Sequence, residues 1–437
     1  MGLQTPWAIL RCKWNDIDDE PLSDEYVQNM FTTAGAGTLN MVDYFDKMSH
    51  GNVDLSGSQV FGWFTLPNPH TDSPAYVVNT DDDPNKVAKA QSWLVDLARS
   101  VAMTNDVPVN DFPHGVVLMN TNQGILYGQL GGWAAVCDGG NCQPSMLGQE
   151  MGHPYGLDHS RGPSGMPPNG EYGDPWDIMS TLNGCYMVPG GPYVLYGPGL
   201  NAANMRGRGW LDRSRVLTLD SGKGVFPPAV QLRPLHAREL PGYLALEIDD
   251  YIIEFRDKRG CDLAIPASAV FVHSFSDNHS YIEQNKNGDQ DLTVGDSWEL
   301  GSQDMKDLPY TQVLIEDIDA SNRIATLTLT HRGGKQFPQY IGGSLGIPWV
   351  DGGGFLGGSG RQSIHVLPGD DLVDVVDHLV AFKSVENLRQ GPARDAVQRA
   401  AMEELARYAE TQLGRLNASN IRTPASLSPG HELERPS

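Results

Sequence analysis

"LGQEMGHPYGLDHS" (residues 147–160) sets Glu150, His153, Gly156 and His159 at three-residue intervals. Residues four apart on an α-helix share a face, so Gln149 and His153 would point at one spot with Glu150 beside them. Gly156 then permits a left-handed turn out of the helix that delivers His159 to the same spot. Three donors with one position left open, and a carboxylate alongside for proton transfer, is the arrangement of a catalytic metal site. With 12 histidines in 437 residues a single spaced pair would mean little, whereas four matched identities at fixed places are specific. Two residues depart from the usual ligand chemistry. Gln149 offers a neutral amide oxygen where an imidazole would bind more strongly. Pro154 has no N–H and its ring would clash with the Glu150 carbonyl, so the helix is expected to stop or bend at His153.

Working outward, "WAILRCKW" (7–14) reads as an opening strand, "GTLNMVDYFDKMSHG" (37–51) as a short helix, and "NVDLSGSQVFGWFTL" (52–66) as one or two strands. A long helix is expected after "DDDP" (81–84), with acidic residues at its positive end and Pro84 in the first turn. Val87, Ala90, Leu94, Leu97 and Val101 would form its buried stripe. "GVVLMNT" (115–121) suits an interior strand, and "GILYGQLGGWAAVCD" (124–138) an edge strand beside a cleft. This is an α/β catalytic layout closing near "GRGWLDRSRV" (207–216).

From about 216 the texture changes to short β-type runs: "YLALEID", "DYIIEFRD", "SAVFVHSF" and "RIATLTLTH". The last places Ala325, Leu327 and Leu329 on one face and Thr326, Thr328 and Thr330 on the other, the period of a half-buried strand. A β-sandwich is expected here. Glu254 and Arg256, two apart on one strand face, read as a structural ion pair. "NKNGDQDL" (285–292) is loosely like a calcium loop but lacks the distant bidentate Glu, which favours an ordinary turn. The fold class expected overall is α+β: a catalytic domain over 1–215, a β-sandwich over 216–332, a Gly-rich linker over 333–365, and a helical segment and tail over 366–437.

The net charge of -23 repels polyanions, so neither nucleic acid nor an anionic membrane is expected as a partner. Five cysteines at irregular spacing form no disulfide framework; Cys137 and Cys142, around "DGGN", either close a small loop or stay as free thiols. The start "MGLQTPWAILRCKWND" has no basic segment leading into a long apolar one, so neither a signal peptide nor a transmembrane span is read there.

Four stretches together, "MVDYFDKMSHGNVDLSG" (41–57), "EMGHPYGLDHS" (150–160), "YGDPWDIMS" (172–180) and "GLNAANMRGRGWLD" (199–212), make residues 38–212 resemble the catalytic region of metzincin-type secreted metalloproteases, with the texture of the immune inhibitor A and gametolysin groups. "YIIEFRDKRGCDLAIPASAVFVHSF" (251–275) is similar to the segment following the protease in immune inhibitor A relatives, with Glu254, Arg256, Asp262, Pro266 and His273 at matching places. The resemblance covers more than half the chain and stops short of the helical tail. It implies Glu150 as general base, Gln149, His153 and His159 as metal ligands, and Met179 as the Met-turn residue under the metal. The implied metal is zinc, with copper as the alternative. Gln-Glu-x-x-His forms are known among gametolysin-like proteases. Ser180 and Thr181 follow Met179 where some metzincins carry a tyrosine, and Tyr155, Tyr172 and Tyr186 are unassigned.

Two readings follow. In the first the chain is a metal-dependent endopeptidase acting on protein or peptide substrates, extracellular by resemblance although the start also fits a cytoplasmic protein. In the second, motivated by Gln149 and Pro154, it is a catalytically inactive relative serving as a binding or self-assembly module. Self-association would run through the C-terminal helices.

Overall fold

Trp7–Lys13 (β1) is covered on both faces, and its neighbours explain why. The computed structural model describes residues 3–74, 84–163, 170–180, 188–189, 193, 195–222, 225–305 and 309–333. Gln59–Thr65 (β2), His114–Met119 (β3), Leu126–Gly128 (β4) and Ala134–Asp138 (β5) complete a five-stranded sheet in the order β2-β1-β3-β5-β4. All pairings are parallel except β4–β5, which is antiparallel. Alternate residues divide cleanly: Trp7, Ile9, Val116, Leu118, Ala135 and Cys137 face one core, while Ala8, Leu10, Cys12, Val117, Met119 and Val136 face another. Parallel strands buried on both sides read as continuous apolar runs, which is what "WAIL" and "GVVLM" are.

Asp24–Phe31 (α1) and Met41–Met48 (α2) lie on the first face, α2 begun by Asn40, whose side chain accepts from the Asp43 N–H. Pro84–Thr104 (α3) covers the second. Its most buried residues are Leu94, Val95, Ala98 and Ala102, with Leu97 and Val101 only partly covered. The expected stripe is thus rotated by about one residue, because small Ala98 and Ala102 let the helix sit close to the sheet. Positions 81–83 of "DDDP" lie outside the described residues. The 124–138 segment is also corrected: it is a hairpin, with only β4 at the edge and β5 inside the sheet between β3 and β4. Of the glycines that suggested an edge, Gly128 lies in β4, Gly131 and Gly132 in the turn, and Gly124 ahead of β4.

Downstream, Val216–Leu219 (β6), Ala245–Ile248 (β8), Tyr251–Arg256 (β9), Ala269–Ser276 (β10) and His279–Ile282 (β11) form a second five-stranded sheet in that order. Ala229–Leu232 (β7), Ile324–Arg332 (β14), Tyr310–Asp319 (β13) and Ser297–Leu300 (β12) form a third sheet, fully antiparallel. Both contribute to one apolar cluster that includes Leu246, Ile253, Phe255, Val272, Trp298, Val313 and Ile315. Ala325, Leu327 and Leu329 point into it and the intervening threonines do not, as their alternation requires. At 285–289 the Asn285 side chain accepts from the Asn287 and Asp289 N–H groups, making an Asx turn rather than a cation loop.

The chain is therefore mixed helix and sheet, an α+β protein, and its residues Met1–Lys335 form one compact unit. The described cysteines, including Cys137 and Cys142, are free buried thiols. No described helix is long and apolar enough to cross a membrane. The Gly-rich linker and the C-terminal helices lie outside the described residues, as do Thr181, Cys185 and Tyr186.

Candidate metal centre

Pro144–Gly152 (α4) carries the motif, opening with Pro144 at a position where the missing N–H costs nothing. Every residue of this helix but Met146 is buried, which its two glycines make possible. A Cβ on Gly148 would lie 3.2 Å from Ile178 Cγ1 and 3.3 Å from Tyr44 Cε1; one on Gly152 would lie 2.8 Å from Met179 Sδ. The glycine face thus seats the helix on the 178–180 turn, with Met179 fully buried against it.

The helix stops where Pro154 requires. His153 keeps its N–H bond to the Gln149 carbonyl, a 3₁₀ turn covers His153–Tyr155, and Gly156 adopts φ +83. Gly156 N–H donates to the His153 carbonyl at 2.7 Å and Leu157 N–H to the Gly152 carbonyl at 3.2 Å, the paired bonds of a Schellman ending. His159 is thereby brought beside His153, ring centroids 4.9 Å apart and planes at 70°.

Among the described residues the hydrogen bonds leave one ring nitrogen of His153 free and occupy both of His159. His153 Nδ1 donates to the Leu157 carbonyl at 2.8 Å, which leaves Nε2 as the lone-pair nitrogen, 3.8 Å from Glu150 Oε2. Burial, and then the neighbouring His159, pull the His153 pKa down to about 4, so the ring is neutral at pH 7. His159 Nδ1 lies 2.6 Å from Glu171 Oε1, and Tyr172 Oη donates to its Nε2 at 3.1 Å. Burial pushes the Tyr172 hydroxyl up to about 12, which keeps that donor protonated. Gln149 Oε1 is buried with no hydrogen-bond partner among the described residues. A buried amide oxygen without a donor is costly unless a cation or a polar group meets it.

Glu150 is the second unusual group. Burial raises its pKa to about 8, opposed in part by the Gly128 N–H of β4, which donates to the carboxylate. β4 can approach this closely only because it carries a glycine: a Cβ on Gly128 would fall 2.3 Å from the Glu150 carbonyl oxygen.

These groups fit a divalent transition metal. Both imidazoles have Nδ1 held by a carbonyl or a carboxylate, the arrangement of metal-binding histidines; His153 presents Nε2, His159 Nε2 holds the Tyr172 hydroxyl, and the Gln149 oxygen on the same helix has no partner among the described residues. No group of three His, Cys, Asp or Glu with metal-ligating placement occurs among the described residues. A metal site here would need the Gln149 amide as its third donor.

Behind the site runs a buried polar network. Asp177 Oδ1 accepts from the Met179 N–H at 2.7 Å and from Ser160 Oγ at 2.9 Å. Asp174 Oδ2 accepts from His273 Nε2 at 3.0 Å. Arg256 Nε donates to Glu254 at 2.9 Å, and its Nη1 reaches Asp262 and the Trp176 carbonyl, each at 3.0 Å. Glu254 with Arg256 is thus the expected ion pair, fully buried. Burial and then the Asp174 charge raise Asp177 to about 7, while His273 is raised because burial, the largest single influence and a lowering one, is outweighed by the hydrogen bond to Asp174 together with the Asp174 and Glu254 charges.

The structure therefore brings Glu150, His153 and His159 together, with Gln149 one turn earlier on the same helix and Met179 packed against Gly152. It adds Gly128, Glu171 and Tyr172, which sequence reasoning did not assign. "EYGD" (171–174) sat next to the Met179 segment, and its carboxylate–tyrosine pair was the available signal. Tyr155 is elsewhere, its hydroxyl meeting Thr5 Oγ1 and Trp7 Nε1. No family model matches this chain. No curated protein matches it significantly.

Proposed function

We propose that the chain is a metal-dependent endopeptidase, built as a metzincin-like unit over 1–215 followed by a β-sandwich over 216–332, acting outside the cell on protein or peptide substrates. The observation that carries this is the buried, orphaned Gln149 Oε1 one helical turn before His153, whose Nε2 lies 3.8 Å from the buried Glu150 carboxyl and whose ring centroid lies 4.9 Å from that of His159. Gln149, His153 and His159 would hold zinc, with copper the alternative. A cation bound there would supply the charge that acidifies a water, polarises a peptide carbonyl and favours ionised Glu150.

The remaining chemistry belongs to the protein. Ionised Glu150 accepts a proton from the attacking water and returns it to the departing amine as the C–N bond breaks. Leu157 and Glu171 keep both imidazoles in the tautomer whose Nε2 carries the lone pair; on His159 that lone pair is taken by the Tyr172 hydroxyl, which would give way to a bound metal. The backbone of Gly128 favours the ionised form of the buried Glu150 carboxyl, and Met179 packs against the helix at Gly152.

Glu150→Ala is expected to abolish cleavage of an unfolded protein substrate while zinc content per chain stays at the wild-type level. Retained proteolysis would remove Glu150 from the mechanism. The inactive, binding-module reading is favoured by one observation, the Tyr172 hydroxyl seated on His159 Nε2. It predicts no zinc or copper uptake by the wild-type chain.

A further inference from the structure

We infer that Asn278 and His279, at the tip of the β10–β11 hairpin, are positioning residues for the metal site, holding the backbone carbonyls of Gly156 and His159 and thereby fixing where the His159 imidazole stands. The inference rests on the metal-centre reading and extends it to a part of the chain about 120 residues downstream.

The hairpin is built to reach this point. Ser276 pairs with His279, so only Asp277 and Asn278 make the turn, at φ 48 and φ 67, the left-handed pair of the tightest hairpin connection. Asn278 Nδ2 donates to the Gly156 carbonyl at 3.1 Å. Its Oδ1 accepts from Arg208 Nη2, while Arg208 Nη1 donates to the Tyr155 carbonyl at 3.3 Å. Tyr155 and Gly156 close the motif helix, so their carbonyls point away from it and need outside donors.

His279 Nδ1 donates to the His159 carbonyl at 3.1 Å. Its Nε2 accepts from Arg161 Nη2 at 3.3 Å, consistent with the same tautomer. Arg161 N–H then donates to the Ser280 carbonyl at 2.8 Å, and the Ile282 N–H to the Arg161 carbonyl at 2.9 Å, so the chain after His159 runs beside β11 as a short parallel bridge. Ser280 Oγ lies 2.9 Å from Ser160 Oγ, which itself donates to Asp177.

Residues 159, 160 and 161 are thus each tied to 279–282, and the far side of the helix turn is tied to 278. Between Gly156 and His159 the chain has no helix to set its course. A free segment of that length would retain conformational entropy that ligand binding would have to remove. Groups that orient a metal ligand typically change affinity by about 10–100-fold when lost.

The test uses the full chain and Co2+ or Zn2+ alone. His279→Leu is expected to weaken Co2+ binding by about tenfold or more and to shift the visible absorption bands of bound Co2+. His279→Asn, whose amide N–H can reach the same carbonyl, is expected to recover most of the affinity and the spectrum. Asn278→Gly keeps the left-handed turn while deleting the amide, and is expected to weaken binding in the same direction with an unchanged urea midpoint. His279→Leu with wild-type affinity and spectrum, or failure of His279→Asn to recover either, would overturn the inference and leave the metal centre intact. A wild-type chain that binds neither ion would overturn the metal-centre reading and this inference with it.

Discussion

Gly128→Ala tests the closest approach in the site. The added Cβ would lie 2.3 Å from the Glu150 carbonyl oxygen and 2.9 Å from both Cβ and Cδ2 of His153. Non-bonded heavy atoms settle at roughly 3.5 Å, so β4 and α4 must separate by about 1 Å. Gly128 is not among the glycines in the left-handed region, so backbone conformation itself accepts alanine and the effect is steric. Overpacking costs about 1–3 kcal/mol, and the upper end applies here because the struck atom is backbone on a helix buried on nearly every side. The same displacement lengthens the Gly128 N–H bond to the Glu150 carboxylate and moves the His153 ring. Urea unfolding of the metal-free chain is therefore expected to show a loss of about 2–3 kcal/mol with unchanged slope, and zinc binding to weaken by about tenfold or more. A stability change under about 0.5 kcal/mol together with an unaltered zinc affinity would refute the packing on which the site rests.

Glu150 in the metal-free chain has its pKa raised from 4.5 to about 8, so the folded state holds a proton that the unfolded state has released across that window. Stability from this group is full below about pH 4.5 and falls as pH rises through 8, by a few kcal/mol at about 1.4 kcal/mol per pH unit. Glu150→Gln should flatten that fall, measured by urea unfolding at pH 5 and pH 8.5; parallel wild-type and variant curves would contradict the burial argument. Replacing Gln149 by His should tighten zinc binding by about tenfold or more in a calorimetric titration, because an imidazole replaces a neutral amide. An unchanged affinity would mean that position 149 does not face the ion.

What the sequence disclosed follows the range of the interactions involved. Glu150 and His153 share a helix turn, and Gly156 with Pro154 fixed the ending, so the approach of His159 to His153 was readable from spacing alone. β1 and β3 were readable because burial on both faces writes an apolar run, and β14 because burial on one face writes an alternation. The stripe of α3 was misplaced by a residue because Ala98 and Ala102 pack as core where larger residues had seemed the natural choice. β5 was taken as part of an edge because nothing local says that β4 folds back to cover it. Gly128, Asn278 and His279 gave no sequence signal as site residues: the last meets its partner across 120 positions, and only the assembled sheets put them face to face.

The central claim is that Gln149, His153 and His159 form one metal site. It is tested most directly by elemental analysis of the purified full chain, after incubation with excess zinc and removal of the unbound ion, alongside His153→Ala. About one zinc or copper per wild-type chain is expected, with a near-complete loss in the variant. No transition metal in the wild type, or equal metal in both proteins, would contradict it.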